Sequence, residues 1–390
     1  MLERPISKAG WTRVAFGDVV RLSKARVADP EAAGIERVVG LEHIEPGDLR
    51  IRRWGDVADG TTFTTLFKPG QVLFGKRRAY QRKVAVADFE GVCSGDIYVL
   101  EPANGRLMPE LLPFLCQTDA FFDHAVGTSA GSLSPRTNWT SLASFEFLLP
   151  PIQEQARLLE PLLGVRTLEE GLGAALEIGE KTYEAWIESE LKDHDWPVRP
   201  AIDLLTRATV GIVVKPADWY VSSGQGVPAL RSLNVLKNRL SWDDYVEISY
   251  EGHEFHQKSA LRAGDVVIVR SGRPGDAAVI PELDHPLNAI DLIISTTGPD
   301  LRPEFFCRFL NSVAGRRQFA SGIAGTAQLH FNVELFKKLR IPVPPLAEQD
   351  VFIARAQQFD GTLSGLRTRL ADAQELKKMI LTECVAHELH

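Results

Sequence analysis

The sequence predicts an α/β protein of the α+β kind. It is read as two tandem mixed α/β domains separated by two long antiparallel coiled-coil-like helices, with a pseudo-twofold internal duplication. Three observations predict this. The 390-residue chain repeats itself at an offset of about 190, which settles to 194 in the later matches. Each half holds short apolar runs broken by Gly and Pro, as strands do. Each half then ends, after a Pro-Pro pair, in a stretch with helical spacing.

The repeat keeps its order along the chain. Trp11-Thr-Arg-Val opens the first half and Trp196-Pro-Val-Arg the second, and Arg53-Trp54-Gly-Asp answers Ser241-Trp242-Asp-Asp. Phe67-Lys-Pro-Gly70 aligns with Leu261-Arg-Ala-Gly264, and Gly95-Asp96 with Ile290-Asp291. Gly127-Thr128 then leads to Pro150-Pro-Ile-Gln-Glu154-Gln155, as Gly325-Thr326 leads to Pro344-Pro-Leu-Ala-Glu348-Gln349. Several matches in one order at a nearly constant offset mean a duplication. The divisions are residues 1–149, a first domain; 150–195, a first spacer helix; 196–343, a second domain; and 344–390, a second spacer helix.

Within the domains, Gln71 to Phe74, Ile97 to Leu100, Asp265 to Val269 and Leu292 to Ser295 read as strands of a mostly antiparallel sheet. Glu110 to Gln117 and Glu304 to Asn311 read as short helices. In the last segment Phe352, Phe359, Leu366, Ala373 and Ile380 recur every seven residues, with Ala356, Leu363 and Leu370 between them. Such a seam needs a partner, and the first spacer offers one in Leu158, Leu162, Val165, Leu172, Leu176, Tyr183 and Trp186. Dimerisation would bury the same seams. Pro161 and the glycines at 164, 171, 173 and 179 predict a bent or kinked first helix.

Composition excludes several classes. With 44% hydrophobic and 24% charged residues and no low-complexity tract, the chain has the makings of packed cores rather than disorder. No apolar run approaches the length of a membrane span, and the beginning lacks the apolar stretch of a secretory signal, so a cytoplasmic location is expected. The four cysteines form no CxxC pair, which argues against a disulfide framework or zinc site. Neither GxGxxG nor GxxxxGK[ST] is present, and His253-Glu-Phe-His256 lacks one residue relative to HExxH, so no dinucleotide, ATP or zinc site is expected.

The net charge of -7 hides a strong asymmetry. Residues 151–195 carry eleven acidic and four basic side chains, which accounts for all of it. The acidic stretch suits a protein partner or water rather than DNA. Elsewhere Lys76, Arg77, Arg78, Tyr80, Gln81, Arg82 and Lys83 gather five positive charges around an aromatic and an amide. That composition suits phosphate and base-edge contacts. Arg270, Ser271 and Arg273 stand at the corresponding place, still basic but chemically different. Ser129, Ser132, Arg136 and Asn138 in the first half, and Gln328, His330 and Asn332 in the second, are further DNA-contact candidates. Arg52, Arg53 and Trp54 with Arg231, Asn234, Lys237, Asn238 and Arg239 form a weaker set.

The order of domain, Leu-Pro-Pro-Ile-Gln-Glu-Gln, long helix, domain, Val-Pro-Pro-Leu-Ala-Glu-Gln, long helix resembles the specificity subunit of type I restriction-modification systems over essentially the whole chain. The resemblance implies two target-recognition domains, each reading half of a bipartite, asymmetric double-stranded DNA site, with the helical pair as ruler. It also implies no catalysis in this chain and no cofactor of its own. Partner N6-adenine methyltransferase subunits, two in number, would dock on the helices and hold S-adenosylmethionine, with Glu154, Gln155, Glu348 and Gln349 at the junctions as partner contacts. Restriction or translocase subunits could join through them. The alternative is a non-catalytic adaptor or dimerising scaffold that binds protein or RNA.

Overall fold

A computed structural model describes residues 8–324 and 331–384. The chain divides into two compact units. One runs to Gly173 and resumes at Thr368; the other is Ala174–Arg367.

The first unit is built around two four-stranded sheets. One has the order Val20–Leu22, Ile97–Pro102, Val72–Gly75, Val84–Val86, antiparallel throughout. The other has the order Gly55–Asp56, Arg37–Val39, Gly91–Cys93, Thr65–Phe67, in which Arg37–Val39 and Gly91–Cys93 run parallel. The second unit repeats this. Its first sheet is Leu205–Val210, Leu292–Thr297, Val266–Val269, Ala277–Val279. Its second is Tyr220–Val221, Val246–Ile248, Val227–Leu230, Asn288–Ala289, with the last two parallel. The expected mostly antiparallel arrangement therefore carries one parallel pair per unit.

The apolar runs are unbroken because the central strands are covered on both faces. Val72 and Phe74 enter one core with Phe16, Phe114 and Phe121, while Leu73 enters another with Val39, Ala85 and Val99. Val266 and Ile268 join Phe305 and Phe306, while Val267 and Val269 join Leu230 and Ile280. Period-two alternation thus distributes one strand between two cores.

A short pair, Thr12–Ala15 with Glu146–Leu149, brings the first unit's two ends together before the first long helix, and Val198–Pro200 with Arg340–Pro342 does so before the second. The first long helix spans Ile152–Asp193 and the second Leu346–Cys384. The first continues as one helix through Pro161. Leu158, Leu159, Leu162 and Val165 around that proline are all buried in the first unit's core, and this packing offsets the lost backbone hydrogen bond. Gly179 has its own use: a Cβ there would lie 2.8 Å from Leu363 Cδ2 of the second helix.

Within the second unit the helices run antiparallel. Glu180 pairs with Arg367 at 2.6 Å and Glu190 with Arg355 at 3.3 Å, while Trp186 stacks on Phe352 and Phe359. In the first unit Glu169 pairs with Lys377 at 2.8 Å. Part of the acidic segment expected to face a partner or water is thus paired within the fold, while Glu160, Glu177, Glu180, Glu184, Asp193 and Asp195 are exposed. Glu170 also holds Arg50, and Glu188 accepts the backbone N–H of Val313 at the start of helix Val313–Ala324. That position favours a carboxylate.

Candidate nucleic-acid interface

In the first unit the loop after strand Val72–Gly75 is shaped by two residues of positive φ. Arg78 at φ 53 and Arg82 at φ 54 bracket a single helical turn, Ala79–Gln81. Ala79 is buried as its anchor, and Tyr80 is left 56% exposed. The loop is joined to residues 129–137, which the sequence pattern treated as separate. Arg78 N–H donates to Pro135 O at 2.7 Å, and Thr137 N–H donates to Lys76 O at 3.0 Å. Two candidate segments therefore form one surface.

One carboxylate organises that surface. Arg136 donates from Nε to Asp96 Oδ1 at 2.8 Å, and Arg77 donates from Nη1 to Asp96 Oδ2 at 3.2 Å. Arg77 also donates from Nε to Ser134 Oγ at 2.5 Å. The hydrogen bond from Arg136, with help from Arg77, holds the Asp96 carboxyl below its usual range despite partial burial.

The remaining side chains divide by direction. Lys76 lies over the Tyr98 ring at 4.7 Å, and Arg78 and Gln81 are half-buried. Two of the five charges turn inward. Arg82 donates to Asp119 at 2.5 Å and to Gln117 O, and covers the Phe122 ring, while Lys83 donates to Leu41 O at 2.7 Å. The basic cluster thus presents less free charge than its composition suggests. Ser129 donates to Ala125 O of the helix Asp119–Gly127 that precedes it, whereas Ser132 is exposed beside Leu133. Asn138 caps helix Trp139–Ala143 by accepting from Ser141 N–H.

The second unit has the same scaffold with other side chains. Phe331 N–H donates to Arg270 O at 3.2 Å, 194 positions beyond the Thr137–Lys76 bond. Arg270 is mostly buried and pairs with Asp291 at 3.2 Å, and Ser271 is half-buried. Arg273 faces Asp276 at 3.4 Å and remains half exposed. Gly275, at φ 95, lies where a Cβ would meet Phe319 at 2.9 Å. Asn332 caps helix Val333–Lys337 as Asn138 caps its counterpart. Gln328 and His330 lie outside the described residues.

Some expected contact residues are corrected by their burial. Asn234 is fully buried; its Oδ1 accepts from Arg231 N–H and its Nδ2 donates to Ser241 O and Asp243 O, so it shapes a turn and has no surface for DNA. Arg231 donates to Asp244 O at 2.5 Å and is half-buried. Gln155 and Gln349, expected as partner contacts, are likewise fully buried. Gln155 accepts from Met108 N–H and donates to Arg106 O and Pro150 O. Gln349 accepts from Arg302 N–H and donates to Asp300 O and Pro344 O. Glu154 is half-buried and pairs with Arg157, and Glu348 is exposed and accepts from Trp196 Nε1. In the weaker set, Arg52 pairs with Asp48 and Arg53 with Glu45, while Trp54 stacks with Arg37.

Asp96 and Asp291 were missed as site residues, although both stood in the repeat pattern as Gly95-Asp96 and Ile290-Asp291. As for chemistry, burial pushes the thiols of Cys93 and Cys307 up to about 12, which keeps them protonated and unreactive. Among the described residues no group of three His, Cys, Asp or Glu side chains comes together to hold a metal. No helix among them is long and apolar enough to cross a membrane.

Residues 221–373 match the family described as "Type I restriction modification DNA specificity domain". The chain is 32% identical over 93 residues to the type I restriction enzyme EcoDI specificity subunit of Escherichia coli, a stretch covering 24% of this chain and 20% of that one. It is 18% identical to the MjaVIII specificity subunit of Methanocaldococcus jannaschii over 95% of this chain and 91% of that one. Among solved structures, the type I restriction-modification S subunit from M. genitalium superposes with a TM-score of 0.60 at 13% identity, covering 99% of this chain and 98% of the other. A chain from a study of complex assembly and conformational transition in the type I R-M system gives 0.57 at 18% identity, with 98% of both covered.

Proposed function

Since residues 221–373 match the type I restriction modification DNA specificity domain, we propose that the chain recognises a bipartite, asymmetric site on double-stranded DNA. It brings partner N6-adenine methyltransferase subunits, two of them, to that site and performs no chemistry itself. S-adenosylmethionine belongs to the partners, and restriction or translocase subunits join through them. Residues 1–149 and 196–343 are the two readers, and 150–195 with 344–390 are the spacer that fixes the gap, all within the cytoplasm.

The observation that carries this reading is one scaffold presented twice with different side chains. On one copy Arg77 and Arg136 engage Asp96, and Lys76, Arg78, Tyr80, Gln81 and Ser132 lie on the same two joined loops. Arg270, Ser271 and Arg273 occupy the corresponding loop of the other. The shared backbone bonds of Lys76 to Thr137 and of Arg270 to Phe331 put each loop at the same place in its domain. Equal scaffolds give equal docking on a groove, and unequal side chains give unequal base readout. Two readers on one chain replace the two subunits of a dimeric reader.

The test is deletion of the gene in its native host, restoration on a plasmid, and adenine-methylation mapping by long-read sequencing. Loss and return of one asymmetric two-part motif with a fixed gap is the expected result. A methylation pattern indifferent to the gene overturns the reading and favours the scaffold alternative.

A further inference from the structure

We infer that Asp96 is a positioning residue for DNA readout: its carboxylate fixes the pose of Arg77 and Arg136, which come from separate loops, and so sets base discrimination. The inference rests on the reading of this surface as a DNA interface.

The geometry is that of a clamp. Arg136 engages Asp96 side-on, with Nε on Oδ1 at 2.8 Å and Nη2 on Oδ2 at 3.5 Å. Arg77 approaches the same Oδ2 with Nη1 at 3.2 Å. Asp96 is itself held. Its carbonyl accepts Lys76 N–H at 3.0 Å, and its own N–H donates to Ser94 Oγ at 3.2 Å. One residue therefore ties the basic loop to the sheet through its backbone and ties two guanidiniums together through its side chain.

Exposure gives the direction. The side chains of Arg77 and Arg136 are 38% and 49% exposed, whereas that of Asp96 is 21% exposed. A carboxylate facing a phosphate backbone would repel it, but one set behind two arginines orients them and prepays their ordering. Free arginines lose rotamer entropy on binding and satisfy any nearby phosphate; restrained ones favour the base edge that fits their fixed fork. In the second unit Asp291 meets one arginine, Arg270, and there the arginine is the more buried partner. The scaffold is shared while the pose differs.

This makes an unusual prediction for Asp96→Asn. Removing a negative charge beside two arginines strengthens or preserves sequence-independent DNA binding, while loss of the clamp weakens discrimination. A residue of merely structural importance would weaken both together.

The experiment uses the full-length chain with its methyltransferase partners. The deletion strain is complemented with wild type, Asp96→Asn or Asp96→Glu, and methylation is mapped. Purified complexes are then titrated with a duplex carrying the recovered motif and with a shuffled duplex, across a salt series. Thermal unfolding of the purified chains runs in parallel. For Asp96→Asn we expect the ratio of specific to shuffled binding to fall about five- to 150-fold, the value of one bidentate contact. Shuffled binding should be unchanged or tighter, one half of the motif should become degenerate, and Asp96→Glu should recover part of the ratio. An unaltered motif and ratio in Asp96→Asn overturns the positioning role and leaves the DNA-reading proposal intact. Parallel loss of both binding modes, or of the folded state, also overturns it. If wild type restores no motif and binds the two duplexes equally, it is the proposed function that fails.

Discussion

Gln155 and Gln349, 194 residues apart in sequence, make the same three hydrogen bonds at corresponding places. Each accepts one backbone N–H, from Met108 or Arg302, and donates to two carbonyls, Arg106 and Pro150 or Asp300 and Pro344. Every partner of the first is 194 residues before the partner of the second. The amide reaches back from the first turn of each long helix to the Pro-Pro turn that precedes it and to the loop before the short helix of its domain. It fastens a domain to the helix that leaves it.

Gln155→Ala or Gln349→Ala should therefore act on stability. Each leaves one N–H and two carbonyls buried without their partner, and an unsatisfied buried group costs about 1–3 kcal/mol. Denaturant unfolding should show a loss of about 2–5 kcal/mol for either single variant. At temperatures where the variants stay folded, methyltransferase association should match wild type. Weaker association by a fully folded variant would return these glutamines to the partner interface.

A second expectation concerns the helix pair. Glu169 and Lys377 are only 13% and 14% exposed, so removal of one partner strands a charge in a poorly solvated place. Lys377→Met should cost about 3–5 kcal/mol, and the double variant Lys377→Met, Glu169→Leu should recover most of it. The pair Glu180 and Arg367, about half exposed, should give less than about 1 kcal/mol under the same double-mutant cycle. Equal coupling energies for the two pairs would contradict the burial argument.

The duplication, the helical seam and the strand runs were legible because each is periodic. Phe352, Ala356, Leu363, Ala373 and Ile380 are buried where the heptad placed them. What holds the helix together at Pro161 was not legible, because a proline signals local cost while the buried leucines around it supply a tertiary gain. At the candidate interface the sequence located the loops but misjudged their chemistry. Counting charges at 76–83 could not reveal that Arg82 and Lys83 turn to Asp119 and Leu41 O, nor that Asn234, Gln155 and Gln349 are interior. A polar residue looks the same in a sequence whether it faces a ligand or a buried backbone group.

That difference between inward and outward charges is measurable. Arg136→Gln should reduce the salt dependence of duplex binding by about one counterion, since its guanidinium is half exposed on the candidate surface. Lys83→Gln should leave the slope nearly unchanged and lower thermal stability instead, because its ammonium serves Leu41 O. Equal slope changes for the two would mean that Lys83 leaves its carbonyl when DNA binds.

The Asp96 clamp also predicts a pH dependence of definite sign. Its carboxyl is held below 3.8 in the folded state by the hydrogen bonds and charges of Arg136 and Arg77. The folded state thus binds the proton less readily than the unfolded chain. A group depressed in this way contributes its full stabilisation above the unfolded value, and that contribution disappears as pH falls through the folded one. Asp96→Asn should consequently be less stable than wild type at pH 6, with the gap unchanged down to about pH 5 and closing below about pH 4. Urea unfolding of both proteins at pH 6 and pH 3.5 provides the comparison. A gap that stays constant across that range would mean the carboxylate draws no net stability from its arginines. The clamp would then order the two side chains for binding without strengthening the fold.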